Sequence, residues 1–164
     1  MWPIFAPGTK GRGKRMRKKR TCYLAGPMEY AHNEGINWRR TYAKALEECS
    51  ISCIIPNDEE KEIKKNINMS DLKENDIEKY IEILRAFIDQ DLKFVETVDM
   101  IIVRWEGELT TGTVHEVGYA YQLKKPTYLV SSLKNKDIPG WFLACFTKKF
   151  STMTELMDFL KANG

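Results

Sequence analysis

The stretch that decides the fold is Met100-Ile101-Ile102-Val103, together with the segment Thr111-Gly112-Thr113-Val114-His115-Glu116 that comes soon after it. Four consecutive apolar residues predict a strand that is buried on both faces. Residues 112–123 are predicted to form the helix that follows this strand. A carboxylate at the point where a buried strand gives way to a helix can be directed at a bound ligand. Glu116 is therefore the first candidate for chemistry.

A second strand ends in a tight turn, at Tyr23-Leu24-Ala25-Gly26-Pro27-Met28. Proline lacks the N–H that a sheet ladder needs and disfavours helix in the residue before it, so the strand stops there. Glycine lets the backbone approach a ligand closely, because it has no side chain. In a parallel sheet this turn opens beside the strand that precedes Glu116. We therefore predict that Gly26, Pro27 and Met28 line the same cleft as Glu116.

Strands and helices alternate along the rest of the chain. Apolar runs predict five strands, at residues 22–25, 51–55, 100–103, 126–130 and 148–150. Helices are predicted at residues 37–49, 77–98, 112–123, 139–146 and 152–162. Residues 58–77, rich in Lys, Glu and Asn, are expected to form a surface excursion or lid with partial helicity. This order predicts a three-layer, doubly wound α/β domain of the flavodoxin or Rossmann type, built on a mainly parallel five-stranded sheet that binds ligands at the carboxyl ends of its strands.

The charge is distributed unevenly along the chain. Residues 10–20 contain eight Lys or Arg residues, and no Asp or Glu occurs before Glu29. The remaining 18 basic residues face 23 acidic ones, so the rest of the chain carries a formal charge of −5. An acidic body argues against a nucleic-acid-binding face on the folded domain. We predict a basic, disordered tail at residues 1–20, which alone could bind nucleic acid, and one α/β domain at residues 21–164.

Four cysteines are too few for a disulfide scaffold, and we expect reduced thiols in the core. No close Cys or His pair completes a zinc pattern, so no metal site is predicted. No apolar stretch is long enough to span a bilayer, and no secretory signal is recognised. We therefore expect a cytoplasmic protein that has no contact with membranes.

Four short motifs follow one another along the chain: Tyr23-Leu24-Ala25-Gly26-Pro27, Asp91 followed by Asp99, Gly112-Thr113, and Glu116-Val117-Gly118-Tyr119-Ala120. In their order and spacing they resemble the motifs of the nucleoside 2-deoxyribosyltransferase family, which has relatives that cleave nucleoside 5′-monophosphates. The resemblance extends from about residue 21 to the carboxyl terminus and leaves out the basic tail. Because each motif is short, only their combination is specific.

The resemblance implies a catalytic role for three residues. Glu116 matches the family glutamate that attacks C1′ of the sugar, Asp91 the aspartate that assists protonation of the leaving base, and Tyr23 the tyrosine that holds the carboxylate. The chemistry is plausible without the family, since cleavage of an N-glycosidic bond develops positive charge at C1′. Two alternatives remain open: Glu116 as an acid in the first turn of a helix, and Tyr23 as a core aromatic residue.

Asp89 is the rival of Asp91, and on a helix the two side chains point about 200° apart, so that only one can face the cleft. The resemblance also implies that Thr111, Gly112 and Thr113 bind substrate. At Thr110 the chain departs from the transferases, which have an acidic residue there, whereas the nucleotide-cleaving relatives have a small hydroxyl residue. A hydroxyl can donate to a phosphate that a carboxylate would repel.

A 5′-monophosphate is therefore a possible substrate. Arg39, Arg40 and Arg104 are candidate partners for its charge, and the alternative for the first two is an exposed helix face.

The leading hypothesis is an enzyme that transfers the 2-deoxyribosyl group of a nucleoside or nucleotide to another base. The alternatives are a nucleoside 5′-monophosphate N-glycosidase and a non-enzymatic nucleotide-binding module whose basic tail binds nucleic acid. The mechanism requires no metal and no organic cofactor. By resemblance, we expect a homo-oligomer, a dimer or larger.

Overall fold

A computed structural model describes residues 19–28 and 32–163, and a five-stranded parallel sheet forms its centre. The strands are β1 (Arg20–Ala25), β2 (Ile51–Ile54), β3 (Met100–Arg104), β4 (Thr127–Val130) and β5 (Lys148–Phe150), in the spatial order β2-β1-β3-β4-β5. The chain moves outward from β1 to β2 and then returns to β3 on the other side of β1. The strand order therefore reverses between β1 and β3, which is where doubly wound sheets bind their ligands. The predicted fold class is confirmed.

Seven α-helices among the described residues surround the sheet. They are α1 (Ile36–Glu47), α2 (Pro56–Lys64), α3 (Met69–Asn75), α4 (Ile77–Thr97), α5 (Thr111–Gln122), α6 (Gly140–Ala144) and α7 (Met153–Ala162). None of the helices in the described part of the chain combines the length and the apolar composition needed to cross a membrane.

The segment predicted to be a surface excursion or lid with partial helicity contains most of α2 and all of α3. Proline stands at the first position of α2, where its missing N–H costs nothing. Asn68 caps α3 by accepting a hydrogen bond from the Asp71 N–H, and Asp76 caps α4 in the same way from the Lys79 N–H. The partial helicity is as predicted and most residues of the two helices are exposed, but Glu60 in α2 is buried, with only 6% of its surface exposed.

The alternation of side chains along β1 decides which residues reach the site. Cys22 and Leu24 belong to one hydrophobic core cluster, whereas Tyr23 and Ala25 belong to the other. The second cluster includes residues of α4 and α5, the helices that carry Asp91 and Glu116. Because successive residues of a strand point to opposite faces, this register directs Tyr23 towards both helices.

Residues 1–18, which include most of the predicted basic tail, lie outside the described residues. β1 begins at Arg20. The division of the chain into a tail and a domain stays a prediction.

Candidate active site

A cleft of about 180 Å³ lies between α4 and the amino-terminal half of α5. Since α5 is the helix that follows β3, the cleft belongs to the edge of the sheet predicted for ligand binding. It is lined by Ile88, Asp91 and Leu92 from α4 and by Thr111, Gly112, His115 and Glu116 from α5.

Glu116 is held by a hydrogen bond from β1. The Tyr23 hydroxyl donates to Glu116 Oε1 at 2.8 Å, and the tyrosine side chain is completely buried. The Tyr23 ring also packs on Phe94, with 6.3 Å between the ring centres, so this residue serves the core and contacts the carboxylate at once. Glu116 is the sixth residue of α5, and the first turn contains no acidic residue. The alternative reading of Glu116 as a first-turn acid is therefore wrong.

Both carboxyl groups of the cleft hold their protons more tightly than usual. Burial raises the pKa of Glu116 to about 8, and the charge of Asp91 acts in the same direction, whereas the hydrogen bond from Tyr23 and the charge of Arg39 oppose it. Burial also raises the pKa of Asp91 to about 7, with a further contribution from the charge of Glu60. Two neighbouring acids that resist ionisation share one proton near neutral pH.

The tyrosine keeps its proton throughout this range. Burial raises the pKa of Tyr23 well above its ordinary value, and the charges of Glu116 and Asp91 add to the effect. Tyr23 therefore stays protonated near neutral pH and remains a hydrogen-bond donor to Glu116.

Arg39 of α1 is completely buried. Its Nε donates to the Leu24 carbonyl at 3.0 Å and its Nη2 to the Gly26 carbonyl at 2.7 Å, while its guanidinium lies 4.6 Å from the centre of the Trp38 ring. The alternative of an exposed helix face is wrong for this residue. Arg39 fixes the carboxyl end of β1, and its role towards substrate stays a prediction.

The other two arginines considered as anion partners are engaged with acidic side chains. Arg40 Nη2 lies 3.2 Å from Asp58 Oδ1 on the surface, and Arg104 Nη1 lies 3.3 Å from Glu108 Oε1. Each of these pairs reduces the positive charge available to a phosphate.

Gly26 has a steric reason for its lack of a side chain. A Cβ built on it would lie 2.6 Å from the Trp38 ring and 2.8 Å from the Arg104 carbonyl oxygen. The turn therefore packs directly on the end of β3 and on α1. Pro27 beside it is buried and Met28 is half-buried, and whether any of the three contacts substrate stays a prediction.

The threonines at the start of α5 divide into two groups. Thr110 caps the helix, because its Oγ1 accepts from the Thr113 N–H at 3.3 Å and donates to Thr113 Oγ1 at 2.9 Å. Thr113 is buried, whereas Thr111 and Gly112 are exposed and line the cleft. Of the four residues predicted to bind substrate here, the structure brings Thr111 and Gly112 to the cleft and uses Thr110 and Thr113 to build the helix start.

Asp91 lines the cleft, and Asp89, two residues earlier on α4, is exposed and is not among the lining residues. Sequence reasoning missed two polar residues, His115, which lines the cleft, and Glu60, which is buried and acts electrostatically on Asp91. Pro56 signals the start of a helix just after β2, but nothing in the sequence signals that Glu60 within this helix is buried. Within residues 19–28 and 32–163, no cluster of three His, Cys, Asp or Glu side chains is arranged to hold a metal ion.

Comparison with known proteins gives one family and many structures of the same fold. The sequence model of the family described as nucleoside 2-deoxyribosyltransferase matches residues 22–157. The structure is similar to that of a 2-deoxyribosyltransferase from Bacillus psychrosaccharolyticus, with a TM-score of 0.63 and 16% identity over 84% of this chain and 90% of that one. It is also similar to a CMP N-glycosidase from Clostridium botulinum, with a TM-score of 0.52 and 13% identity over 88% of this chain and 100% of that one. A search of curated proteins finds no match to the sequence.

Proposed function

Because the chain belongs to the nucleoside 2-deoxyribosyltransferase family, we propose that it cleaves the N-glycosidic bond of a nucleoside or nucleotide and transfers the 2-deoxyribosyl group to another base. The observation that carries this proposal is the 2.8 Å hydrogen bond from Tyr23 to Glu116. This hydrogen bond holds one carboxylate oxygen of Glu116 in a cleft that is lined by two acids, Glu116 and Asp91.

In the first step a Glu116 oxygen attacks C1′. The C1′–N bond breaks as the ester bond forms, and the electron pair of the broken bond leaves with the base. A purine or pyrimidine leaves poorly as an anion, so Asp91 donates its proton to the departing nitrogen. The products are a glycosyl ester on Glu116, a neutral base and an ionised Asp91.

In the second step the nitrogen of another base attacks C1′ from the side that the first base left. The ester bond breaks, Glu116 recovers its carboxylate, and Asp91 takes the proton that the incoming base loses. Two inversions at C1′ give net retention of configuration.

The reactive state has one proton on Asp91 and one negative charge on Glu116. Near neutral pH the two acids share one proton, and the pKa values of about 8 for Glu116 and about 7 for Asp91 place it more often on Glu116, so the reactive state is the less populated arrangement. Donation from Tyr23 favours the charge on Glu116, because a hydrogen bond to an ionised acceptor stabilises it. Burial favours the proton on Asp91, since it raises the pKa of this residue to about 7 and so leaves a proton to donate near neutral pH.

The proposal is tested by incubating the protein with 2′-deoxynucleosides and their 5′-monophosphates, with and without a second free base, and separating the products by chromatography. Exchange of the base is expected for wild type. Glu116→Gln should abolish it, while the matched control Glu78→Gln, on the exposed first turn of α4, should keep it. Peptide mass spectrometry after an acid quench should find the deoxyribosyl adduct on the peptide that contains Glu116. Full activity of Glu116→Gln would show that another group is the nucleophile.

A nucleoside 5′-monophosphate N-glycosidase is the second candidate, in which water replaces the incoming base. Thr111 favours it, because this exposed hydroxyl residue lines the cleft at the start of a helix, where the N–H groups also attract anions. Release of sugar phosphate from a monophosphate, with no base exchange, would support this candidate.

The third candidate is a nucleotide-binding module without catalysis, tethered to nucleic acid by residues 1–20. It predicts salt-dependent nucleic-acid binding that is lost when those residues are deleted, together with no turnover of any nucleoside. The homo-oligomer and the cytoplasmic location also stay proposals, and light scattering tests the first of them.

A further inference from the structure

Glu60 is a buried carboxylate beside the reactive pair that the mechanism above does not use. It belongs to α2, which begins two residues after β2 ends and packs against β1. Glu60 is only 6% exposed, and a carboxylate is costly to bury unless it is paired with a positive charge. Its charge acts on Asp91, Glu116 and Arg39, so three groups of the site experience it.

Lys64 supplies the partner that this burial requires. Lys64 Nζ lies 2.7 Å from Glu60 Oε2, one helical turn along α2. The same ammonium lies 5.9 Å from the centre of the Phe87 ring on α4. Phe87 is buried, and Asp91 follows it on the same face of α4 one turn later. The ion pair is thus docked against the helix that carries Asp91.

Charged and titratable groups from four other elements act on Asp91. The charge of Glu60 raises the pKa of Asp91 and is second only to burial in doing so, whereas one hydrogen bond and two positive charges lower it. The groups are Tyr23 of β1, Arg39 of α1, Glu60 and Lys64 of α2, and Glu116 of α5.

We propose that Glu60 is a positioning residue that keeps Asp91 protonated near neutral pH, and that Lys64 limits this effect by pairing with Glu60. A second negative charge in a poorly solvated cleft is unfavourable, so the nearby carboxylate of Glu60 makes the ionisation of Asp91 more costly. The protonation state of Asp91 is therefore controlled from α2, a helix that carries neither Asp91 nor Glu116. The inference rests on the role given to Asp91 in the proposed function.

The first test measures the pH dependence of kcat for base release. Glu60→Gln should move the basic limb to lower pH by about half a unit to one unit, because Asp91 then loses its proton more easily. Lys64→Gln should move the same limb to higher pH, because it removes a positive charge that acts on Asp91 and also leaves the charge of Glu60 without its offset. Glu59→Gln, at an exposed position next to Glu60 on the same helix, is the matched control and should leave the limb in place.

The second test does not depend on turnover. The protein is labelled with ¹³C at the carboxyl carbon of aspartate, the Asp91 signal is assigned from its loss in Asp91→Asn, and its titration is followed by NMR. The midpoint should fall in Glu60→Gln and rise in Lys64→Gln. If Glu60→Gln does not fold alone, it is made in the Lys64→Gln background, where no lysine is left unpaired, and the Asp91 midpoint should then be lower than in Lys64→Gln alone.

The two tests separate this inference from the proposed function. Shifted NMR midpoints without any turnover would support the coupling and refute the proposed function. Turnover with an unmoved limb and unmoved midpoints in both variants would leave the proposed function standing and overturn the role of Glu60. Shifts in the same direction in both variants would also overturn it, since a charge effect requires opposite signs.

Discussion

Replacing Tyr23 by phenylalanine should shift the acidic side of the pH–rate profile. The change keeps the ring that packs on Phe94 and removes only the hydroxyl that lies 2.8 Å from Glu116 Oε1. A hydrogen bond to a charged group contributes about 1.5–3 kcal/mol. One pKa unit corresponds to about 1.4 kcal/mol, so the pKa of Glu116 should rise by about one to two units.

This rise reduces the fraction of molecules in which Glu116 is ionised. Below the pKa of Glu116 in the variant, kcat/KM should therefore fall about 10- to 100-fold relative to wild type, and the deficit should shrink as the pH is raised. The assay is the initial rate of base release from a 2′-deoxynucleoside over the pH range in which the protein stays folded. Tyr121→Phe is the control, because Tyr121 is 60% exposed.

Two results would refute the reasoning. An unchanged acidic limb in Tyr23→Phe would mean that the hydroxyl does not stabilise the ionised carboxylate. An equal loss of activity at every pH would mean that the tyrosine acts by a route other than the ionisation of Glu116. Circular dichroism in the near ultraviolet should confirm that the core packing of the variant is intact.

Three further predictions test other parts of the site. Asp91→Asn should lower kcat by about 10²- to 10⁴-fold with an ordinary nucleoside and much less with a 7-methylated purine nucleoside, whose base leaves without a proton; equal losses on both substrates would exclude Asp91 as the acid. Burial raises the pKa of Glu116 from 4.5 to about 8, so the folded protein must ionise a buried carboxyl group, and loses stability, as the pH rises through that interval. In denaturant titrations Glu116→Gln should therefore be about 1–3 kcal/mol more stable than wild type at pH 9 but not at pH 4. In Gly26→Ala the new methyl group would lie 2.6 Å from the Trp38 ring, so thermal unfolding should show a loss of about 1–3 kcal/mol. Gly118→Ala should be neutral or stabilising, because a Cβ there would meet no atom within 4 Å apart from its chain neighbours and the nearby backbone of its own helix.

The sheet was predictable because its strands are continuous apolar runs. β3 was predicted at residues 100–103 and is observed at Met100–Arg104, and β5 is observed at Lys148–Phe150 as predicted. Burial on both faces makes such a strand visible in the sequence, since it needs no alternation to be recognised. The family resemblance inferred from short motifs is confirmed by the match over residues 22–157.

The burial of charged side chains could not be predicted. Arg39 stands in a helix with several charged neighbours, and its burial is stabilised by the carbonyl groups of Leu24 and Gly26 and by the Trp38 ring, which the chain brings together only on folding. Glu60 lies in the most polar stretch of the sequence and is buried through its ion pair with Lys64. The composition of a segment gives its average polarity. Whether one charged side chain in it is buried depends on the groups that bind that side chain after folding, and many of these are distant in the sequence.

The candidate site was predictable at its centre and not at its edges. Glu116, Asp91 and Tyr23 belong to motifs and were identified together, and the structure brings the tyrosine to the glutamate across 93 positions of sequence. Thr110 and Thr113 were also expected to bind substrate, but Thr110 caps the helix by accepting a hydrogen bond from the Thr113 N–H, and the sequence does not show that its hydroxyl is used in this way.

The pairing of β1 with its neighbours has a consequence for how the protein can vary. Tyr23 lies opposite Ile54 of β2 and Ile101 of β3. If β1 slid by one position, every side chain on it would change sides, and the hydroxyl would point towards α1 and α7, away from both acids. A single inserted or deleted residue within β1 would thus separate Tyr23 from Glu116 and inactivate the site, although Tyr23, Asp91 and Glu116 would all still be present. The length of this one strand matters to the chemistry as much as the identity of any residue that takes part in it.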